Sequence, residues 1–348
     1  MNRFICDGSY EEELKTYTDE VVMKYGAFSQ AAQREIMCMA DTGNAVAGKL
    51  YADMVFYKKL YRRFPYRDAF YLYLRCAGIK ITEDGSWQCD GHSYPMAFLS
   101  VGYYLVNYKR ESVLKDCEGI DDIEALTIAG RLCLALKLAL SCVKYINAAE
   151  AFNLTGRILL ELSRDEKLLE EVLPVIEEEI SSEGLCGIDL GENKCRTAAQ
   201  CADAAELFFE NAAREGYVYA SNSLAAREAD RIVAMKESDS PKKYIEWLKL
   251  SADKYEPYAA NRLGLFYMTG KVKTDDGEAY FPEYIDYKLA KQYFIKATAY
   301  PDSNSAWAYY NLIKYYPRDY TTNLELMNEH MDYIKELNPR VYDLAMEL

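Results

Sequence analysis

Three segments in the second half of the sequence repeat one pattern of alanine and bulky apolar residues. They begin at positions 208, 247 and 294 and read FFENAAREGYVYASNSLAA, WLKLSADKYEPYAANRLGLFY and FIKATAYPDSNSAWAYYNL. Ala213, Ala252 and Ala299 are equivalent, and their spacings of 39 and 47 residues recur in the columns that begin at Ala220 and Leu224. A period of this length predicts stacked pairs of helices, because each pair leaves an apolar face that only the next pair can cover.

Fainter copies of the pattern lie upstream. Ala40, Ala47 and Tyr51 keep the spacings of the downstream segments, and AFNLTG at 151–156 matches AANRLG at 259–264. Small residues on one helix face let two helix axes approach closely, while the bulky residues fill the space between neighbouring pairs. We therefore expect helical pairs in both halves of the chain, with more divergence in the first half.

Loop-forming residues suggest how these pairs are organised. The segment 181–195, SSEGLCGIDLGENKC, is polar and rich in glycine, and it separates divergent repeats over 1–180 from clearer repeats over 196–348, which end in a capping helix. The longer of the two repeat spacings contains TDDGEAYFPEY at 274–284, whose Asp, Gly and Pro content favours a loop. The sequence permits two helical arrays or one continuous array.

One of the repeats resembles a whole unit of a known family. AANRLGLFYMTGKV from Ala259, followed by LAKQYFIKATA from Leu289, is similar to a Sel1-like repeat, a relative of the tetratricopeptide repeat. The resemblance is best over 201–316, and the Leu-Gly pair of the family becomes Leu-Ala at Leu224 and Tyr-Asn at Tyr310. It implies an all-α fold, a right-handed α-solenoid of stacked antiparallel helical hairpins, which acts as an adaptor or scaffold for a protein or peptide partner.

Composition narrows the class of partner and the compartment. The net charge of −14 disfavours nucleic acid, since proteins that grip phosphates concentrate Lys and Arg. KKLYRR at 58–63 is the one compact basic cluster, and it is typical of a solvated helix end before Pro65. The apolar run 128–143 contains Arg131 and Lys137, which favours a buried helix over a membrane span. The absence of a signal-like start and of CxxC pairs among ten cysteines favours the cytoplasm.

Residues that carry catalysis or bind cofactors are scarce. Histidine occurs only at His92 and His330, and no phosphate-binding glycine loop is present, so we expect neither a metal site nor a cofactor. Cys89 and His92, in the insertion WQCDGHSY, are the one arrangement that would place a nucleophile near a base. The sequence predicts a protein that is not an enzyme.

Tyrosine supplies 32 of the aromatic residues, more than a helical core of this size requires. Tyr and Arg are enriched in binding hot spots, and Asn and Arg side chains bind peptide backbone and carboxylate groups. On the first helix of each pair, the positions outside the Ala and Leu packing columns are the predicted partner-binding residues: Tyr103, Tyr104, Asn222, Asn261, Arg262 and Tyr309. We expect them to face a protein or peptide partner on the concave side of the array.

Two other functions remain open from the sequence. The acidic surface suits a dedicated regulator or inhibitor that binds the basic site of one enzyme. An enzyme that uses the insertion containing Cys89 and His92 is a minor alternative. The sequence leaves the partner, the oligomeric state and the number of repeats undetermined.

Overall fold

The structure of the chain is a computed structural model that describes residues 9–17, 29–89, 94–109, 114, 117, 119–146, 148–181, 184–185, 188–190, 195–235, 240–300, 302–321 and 323–348. The chain divides into two compact units, Met1–Phe208 and Phe209–Leu348. Both units are built from helices, joined by short two-stranded hairpins. This confirms the all-α helical-repeat class predicted from the repeat spacing.

The first unit contains the helices α1 Ser9–Tyr17, α2 Gln30–Asp41, α3 Ala45–Phe56, α4 Pro65–Cys76, α5 Pro95–Asn107, α6 Asp121–Glu124, α7 Ile128–Ile146, α8 Ala149–Leu162 and α9 Glu166–Glu179, and most of α10 Ala198–Arg214. Its strands are β1 Ile79–Ile81 paired with β2 Trp87–Cys89, and β3 Ile180–Ser181 paired with β4 Gly184–Leu185, both antiparallel. Successive helices pack on one another from α2 to α5, and α7 packs on both α5 and α8. The predicted buried helix over 128–143 is confirmed, since all five leucines of α7 are at most 2 % exposed.

The second unit contains the helices α11 Val218–Met235, α12 Lys242–Ala252, α13 Pro257–Thr269, α14 Tyr287–Ala297, α15 Ser303–Tyr315, α16 Pro317–Thr321, α17 Leu324–Leu337 and α18 Pro339–Ala345. Strands β5 Lys271–Thr274 and β6 Gly277–Tyr280 form an antiparallel hairpin, and a 3-10 turn, Pro282–Tyr284, follows them. Each helix from α11 to α15 packs on the next one. In addition, α13 packs directly on α15, so first helices of neighbouring pairs are in contact.

The repeated columns form the core of this second unit. Ala220, Ala259 and Ala306 are completely buried, and so are Leu263 and Phe294. Helix ends follow the local sequence: Asp286 precedes α14, and its carboxylate accepts a hydrogen bond from the backbone N–H of Leu289 at 2.9 Å. Side-chain size and capping therefore explain why these residues form stacked pairs.

The connection at 274–284 differs from its prediction as a loop. Its first half completes the β5–β6 hairpin, in which Val272 pairs with Ala279 and is fully buried. Asp275 and Asp276 make the turn, and Gly277, which begins β6, has a φ of 149°, which favours glycine. The buried side chain of Val272 anchors the hairpin to the core. Each strand has four residues, which is too short to show an alternating apolar pattern in the sequence.

The division between the units also differs from the predicted loop at 181–195. Part of that segment forms the β3–β4 hairpin inside the first unit, and the division falls after Phe208. The ring of Phe208 packs on Phe152 of α8, with centroids 6.2 Å apart, which ties the start of α10 to the first unit. In the part of the chain that the structure describes, no helix is long and apolar enough to cross a membrane.

Candidate functional site

A pocket of about 420 Å³ lies between helices α13 and α15. On α13 its lining residues recur at helical intervals of three and four, which places them on one face of the helix. Polar and aromatic side chains predominate in the lining: Tyr258, Asn261, Arg262, Leu265, Asn304, Trp307, Tyr310, Asn311, Lys314 and Tyr315. The pocket follows from the direct contact of two first helices, whose outward faces together form its walls.

Arg262 is held in one position at the edge of this pocket. Its Nη2 donates a hydrogen bond to the backbone carbonyl of Lys273 in β5, at 2.9 Å. Its guanidinium also lies beside Tyr244 of α12: burial raises the pKa of Tyr244, and the charge of Arg262 opposes that rise. A guanidinium has five N–H donors in a rigid fork, so these contacts fix its orientation while leaving donors for a ligand.

An aromatic wall faces Arg262 from α15. Trp307 is 40 % exposed, although it is one of the largest apolar side chains in the chain, and its ring contacts Tyr310 edge-on at 5.9 Å. The Lys314 Nζ lies 5.3 Å from the centroid of the Tyr310 ring and 5.6 Å from that of Tyr315. These rings hold the ammonium by cation–π attraction and present a large contact area to a ligand.

The floor of the pocket joins the two helices through a pair of asparagines. Asn311 Nδ2 donates to Asn261 Oδ1 at 2.9 Å. Asn311 is buried, and Asn261 is half-buried. Each side-chain amide has both donor and acceptor atoms, so the pair has further hydrogen-bonding capacity beyond their mutual bond. Such groups match the alternating N–H and C=O groups of a peptide backbone.

The charge of the pocket is opposite to that of the whole chain. Its lining contains Arg262 and Lys314 but no carboxylate. Among the residues that the structure describes, the nearby Glu278 pairs with Lys271 at 2.6 Å and Lys273 at 3.4 Å, and no carboxylate pairs with Lys314. The pocket therefore has two cationic groups without a counter-ion, which favours an anionic ligand group.

Two predicted residues, Asn261 and Arg262, lie in the pocket, and a third, Asn222, lies near the N-terminus of α13. Asn222 Nδ2 donates at 3.1 Å to Glu256, whose carboxylate caps α13 by accepting from the backbone N–H groups of Tyr258 and Ala259. Asn222 Oδ1 is buried, so this side chain has a structural role in positioning the Glu256 cap.

The remaining predicted residues lie elsewhere. Tyr104 is a core residue, 1 % exposed, whose hydroxyl donates to the Tyr66 carbonyl at 2.8 Å, and burial raises its pKa. Its neighbour Tyr103 is half-buried against Phe56. Tyr104 therefore faces the interior of the first unit, which corrects the expectation that it faces a partner.

Tyr309 also lies in the core instead of the pocket. It is 6 % exposed, and its ring stacks on Tyr333 of α17 at 5.4 Å and contacts the His330 ring at 4.6 Å. The neighbouring residue, Tyr310, faces the pocket instead. Helix α17 covers the face of α15 that carries Tyr309, and α17 lies outside the repeat pattern from which the prediction was made.

Sequence reasoning missed the residues that complete the pocket on α15. Trp307 and Lys314 are seven residues apart and therefore lie on the same face of α15. Asn311 occupies the repeat position that Gly264 holds in the preceding repeat. That departure was visible as Tyr-Asn in place of Leu-Gly. It placed a polar side chain in a column where the two preceding repeats have Ala225 and Gly264, and this is the signal that identifies the position.

Comparison with known proteins adds a distant structural likeness. No protein-family model matches the chain, and no curated protein matches it. A solved structure of a protective antigen present in uropathogenic Escherichia coli strains, described as displaying an SLR fold, is 13 % identical with a TM-score of 0.27. The match covers 94 % of this chain and 68 % of that chain, and at this level of similarity it carries no argument about function.

The other chemical candidate lies partly outside the described residues. Cys89 is half-buried at the end of β2 and pairs across the hairpin with Ile79, whereas His92 is not among the residues described. Within the described ranges, no group of three His, Cys, Asp or Glu side chains is arranged to hold a metal ion. The pocket between α13 and α15 is therefore the site from which a function can be argued.

Proposed function

We propose that this protein is a non-catalytic scaffold of the Sel1-like repeat type, which binds a segment of a protein or peptide on the concave face of a right-handed array. The pocket between α13 and α15 is the proposed centre of that face. The observation that carries the proposal is the combination of a half-exposed Trp307 with two cations, Arg262 and Lys314, that have no carboxylate in the lining.

Each wall of the pocket suits a different part of such a ligand. The guanidinium of Arg262 and the ammonium of Lys314 suit a carboxylate, either an acidic side chain or a C-terminus. The rings of Trp307 and Tyr310 suit an apolar side chain next to that carboxylate, and the Asn261–Asn311 pair suits the backbone between them. Arg262 and Lys314 are held by existing contacts, so binding loses little side-chain entropy.

Selection from a random peptide library with free C-termini tests this proposal. We expect the full chain to enrich peptides that combine a carboxylate with an aromatic or large aliphatic residue. An Arg262→Gln/Lys314→Gln variant is expected to bind the selected peptides about tenfold or more weakly, because it loses two charge-assisted contacts. The matched control is Lys242→Gln/Lys243→Gln, which removes two exposed lysines at the start of α12.

Two results would reject the proposal. One is a selection that enriches no common sequence. The other is an Arg262→Gln/Lys314→Gln variant that binds the selected peptides as tightly as the control does while keeping its helical circular dichroism. Either result would reopen the regulatory and enzymatic alternatives.

A further inference from the structure

The connection between α3 and α4 has a composition unlike the rest of the chain. Residues 57–67, here named the basic loop, contain five of the 41 basic residues and no acidic residue, in a chain with a net charge of −14. The basic side chains are Lys58, Lys59, Arg62, Arg63 and Arg67. Tyr57 directly precedes them and Tyr61 lies among them, and these two tyrosines are 67 % and 91 % exposed. Exposed aromatic and basic residues therefore alternate on one short segment.

The cations of the basic loop have almost no carboxylate partners. Arg67 approaches Asp68 at 3.8 Å, a long ion pair with both side chains about one-third exposed. Over the ranges that the structure describes, no carboxylate pairs with Lys58, Lys59, Arg62 or Arg63. Some lysines elsewhere in the chain do pair with a carboxylate on another helix, as Lys296 does with Asp253 at 2.7 Å.

Aromatic rings hold these unpaired cations in place. The guanidinium carbons of Arg63 and Arg67 lie 5.0 Å and 4.2 Å from the centroid of the same ring, Phe64. Arg62 lies over the ring of Tyr51 and donates to its hydroxyl. Side chains fixed in this way keep their outward N–H groups available and lose little entropy on binding.

The backbone of the basic loop is fixed as well. Lys58 adopts a left-handed φ of 55°, and the N–H groups of Lys59 and Leu60 both donate to the Met54 carbonyl, at 2.8 Å and 3.1 Å. This closes the end of α3 with a lysine at a position that glycine usually occupies. The loop thus presents its cations on a defined backbone.

Helix electrostatics account for only part of this arrangement. Lys58 and Lys59 follow the C-terminus of α3, where the helix dipole favours positive charge. Arg63 and Arg67 flank the start of α4, where the dipole is positive and disfavours them. Two guanidinium groups that share one ring at that end of a helix repel each other and the helix. An anionic partner removes this repulsion.

We propose that the basic loop is a second binding surface, whose partner is a short acidic segment of another protein. The guanidinium fork of arginine matches carboxylates in two-point contacts, and Tyr57 and Tyr61 add contact area beside them. The acidity of the rest of the chain favours a short partner. A nucleic acid or an anionic bilayer is larger than the basic loop, so it also approaches the acidic surface around the loop and is repelled by it. A short acidic segment avoids most of that repulsion, because charges more than about 8 Å apart are screened at physiological salt.

Fluorescence anisotropy with labelled deca-glutamate and deca-glutamine peptides tests this proposal on the full chain. We expect deca-glutamate to bind, to bind more tightly at low salt, and to outcompete deca-glutamine. Replacing Arg63→Gln and Arg67→Gln should weaken its binding about tenfold. The Lys242→Gln/Lys243→Gln control should leave it unchanged. Arg262→Gln/Lys314→Gln should weaken it less than Arg63→Gln/Arg67→Gln does, which separates this surface from the pocket between α13 and α15.

Four outcomes would overturn the proposal. They are equal binding of the two peptides, no binding of deca-glutamate, binding that survives in the Arg63→Gln/Arg67→Gln variant, and tighter binding of a poly-thymidine strand or of phosphatidylserine vesicles that the same variant abolishes. The last outcome would assign the basic loop to a nucleic acid or a membrane surface. Loss of deca-glutamate binding only in Arg262→Gln/Lys314→Gln would instead assign the peptide to the pocket.

Discussion

His330 packs among tyrosines in the second unit. Its Nδ1 lies 2.9 Å from the Tyr320 hydroxyl, and its ring contacts the rings of Tyr309 and Tyr320 edge-on. Burial lowers the pKa of His330 below its ordinary value of 6.5, although the nearby Glu329 acts in the opposite direction. The folded chain therefore binds this proton less readily than the unfolded chain does.

This lowered pKa makes the stability depend on pH. Between the folded and unfolded pKa values the unfolded state binds more protons, so stability falls as the pH drops below about 6.5 and is restored as the pH rises. We expect the urea concentration at the unfolding midpoint to be lower at about pH 5.5 than at about pH 7.5. The difference between the two pH values should be smaller in a His330→Gln variant. Equal falls in the two proteins would show that His330 titrates alike in both states.

The same cluster explains where residue-level prediction from sequence succeeded and failed. Asn261 and Arg262 line the pocket, on the face of α13 that the repeat pattern leaves outside the packing columns, and their role in binding stays a prediction. The prediction for Tyr309 was wrong because its environment depends on α17, which has no counterpart in the repeats. The prediction for Tyr104 was wrong for a related reason, since its hydroxyl donates a hydrogen bond to a backbone carbonyl inside the core. The sequence does not distinguish such a buried tyrosine from an exposed one.

At the scale of elements, close approach of α13 and α14 depends on one glycine. A Cβ atom on Gly264 would lie 2.5 Å from Phe294 Cδ1 and 2.6 Å from its Cε1. Phe294 is completely buried, and its ring stacks on Tyr315 at 6.3 Å, so it has little room to move. The Leu-Gly pair of this repeat thus sets the distance between two helices.

Gly264→Ala is expected to lower the free energy of unfolding by about 1–3 kcal/mol, because the added methyl group overpacks the interface. Gly119→Ala is the control, since a Cβ there meets no atom closer than 3.6 Å. Urea denaturation followed by circular dichroism measures both variants. If Gly264→Ala is as stable as Gly119→Ala, the helices separate easily, and the close approach does not limit stability.

The elements themselves were largely predictable, whereas their connections were not. Helix periodicity and capping are local properties of a sequence. The helices could therefore be predicted from the alanine columns, the Asp286 cap and the apolar run of α7. The β5–β6 hairpin was missed because each strand has four residues and a single buried anchor, Val272. The division after Phe208 falls inside α10, where no loop-forming residues mark it in the sequence.

At the scale of the whole molecule, the chain combines an acidic composition with two local basic sites. We expect the net charge of −14 to repel unspecific polyanions, and we propose that Arg262 and Lys314 in the pocket, and the basic loop in the first unit, attract acidic groups locally. Both sites pair cations with aromatic rings. We therefore propose a scaffold that recognises acidic segments, with each unit contributing a separate surface.

We propose that the pocket between α13 and α15 holds the ligand, and photo-cross-linking on the full chain can locate the bound peptide. A library-selected peptide that carries a benzophenone is irradiated with the full chain, and mass spectrometry locates the adducts. The account predicts adducts within Pro257–Thr269 and Ser303–Tyr315 that disappear with excess unlabelled peptide and in Arg262→Gln/Lys314→Gln. Competable adducts confined to other helices, or adducts that persist in that variant, would contradict it.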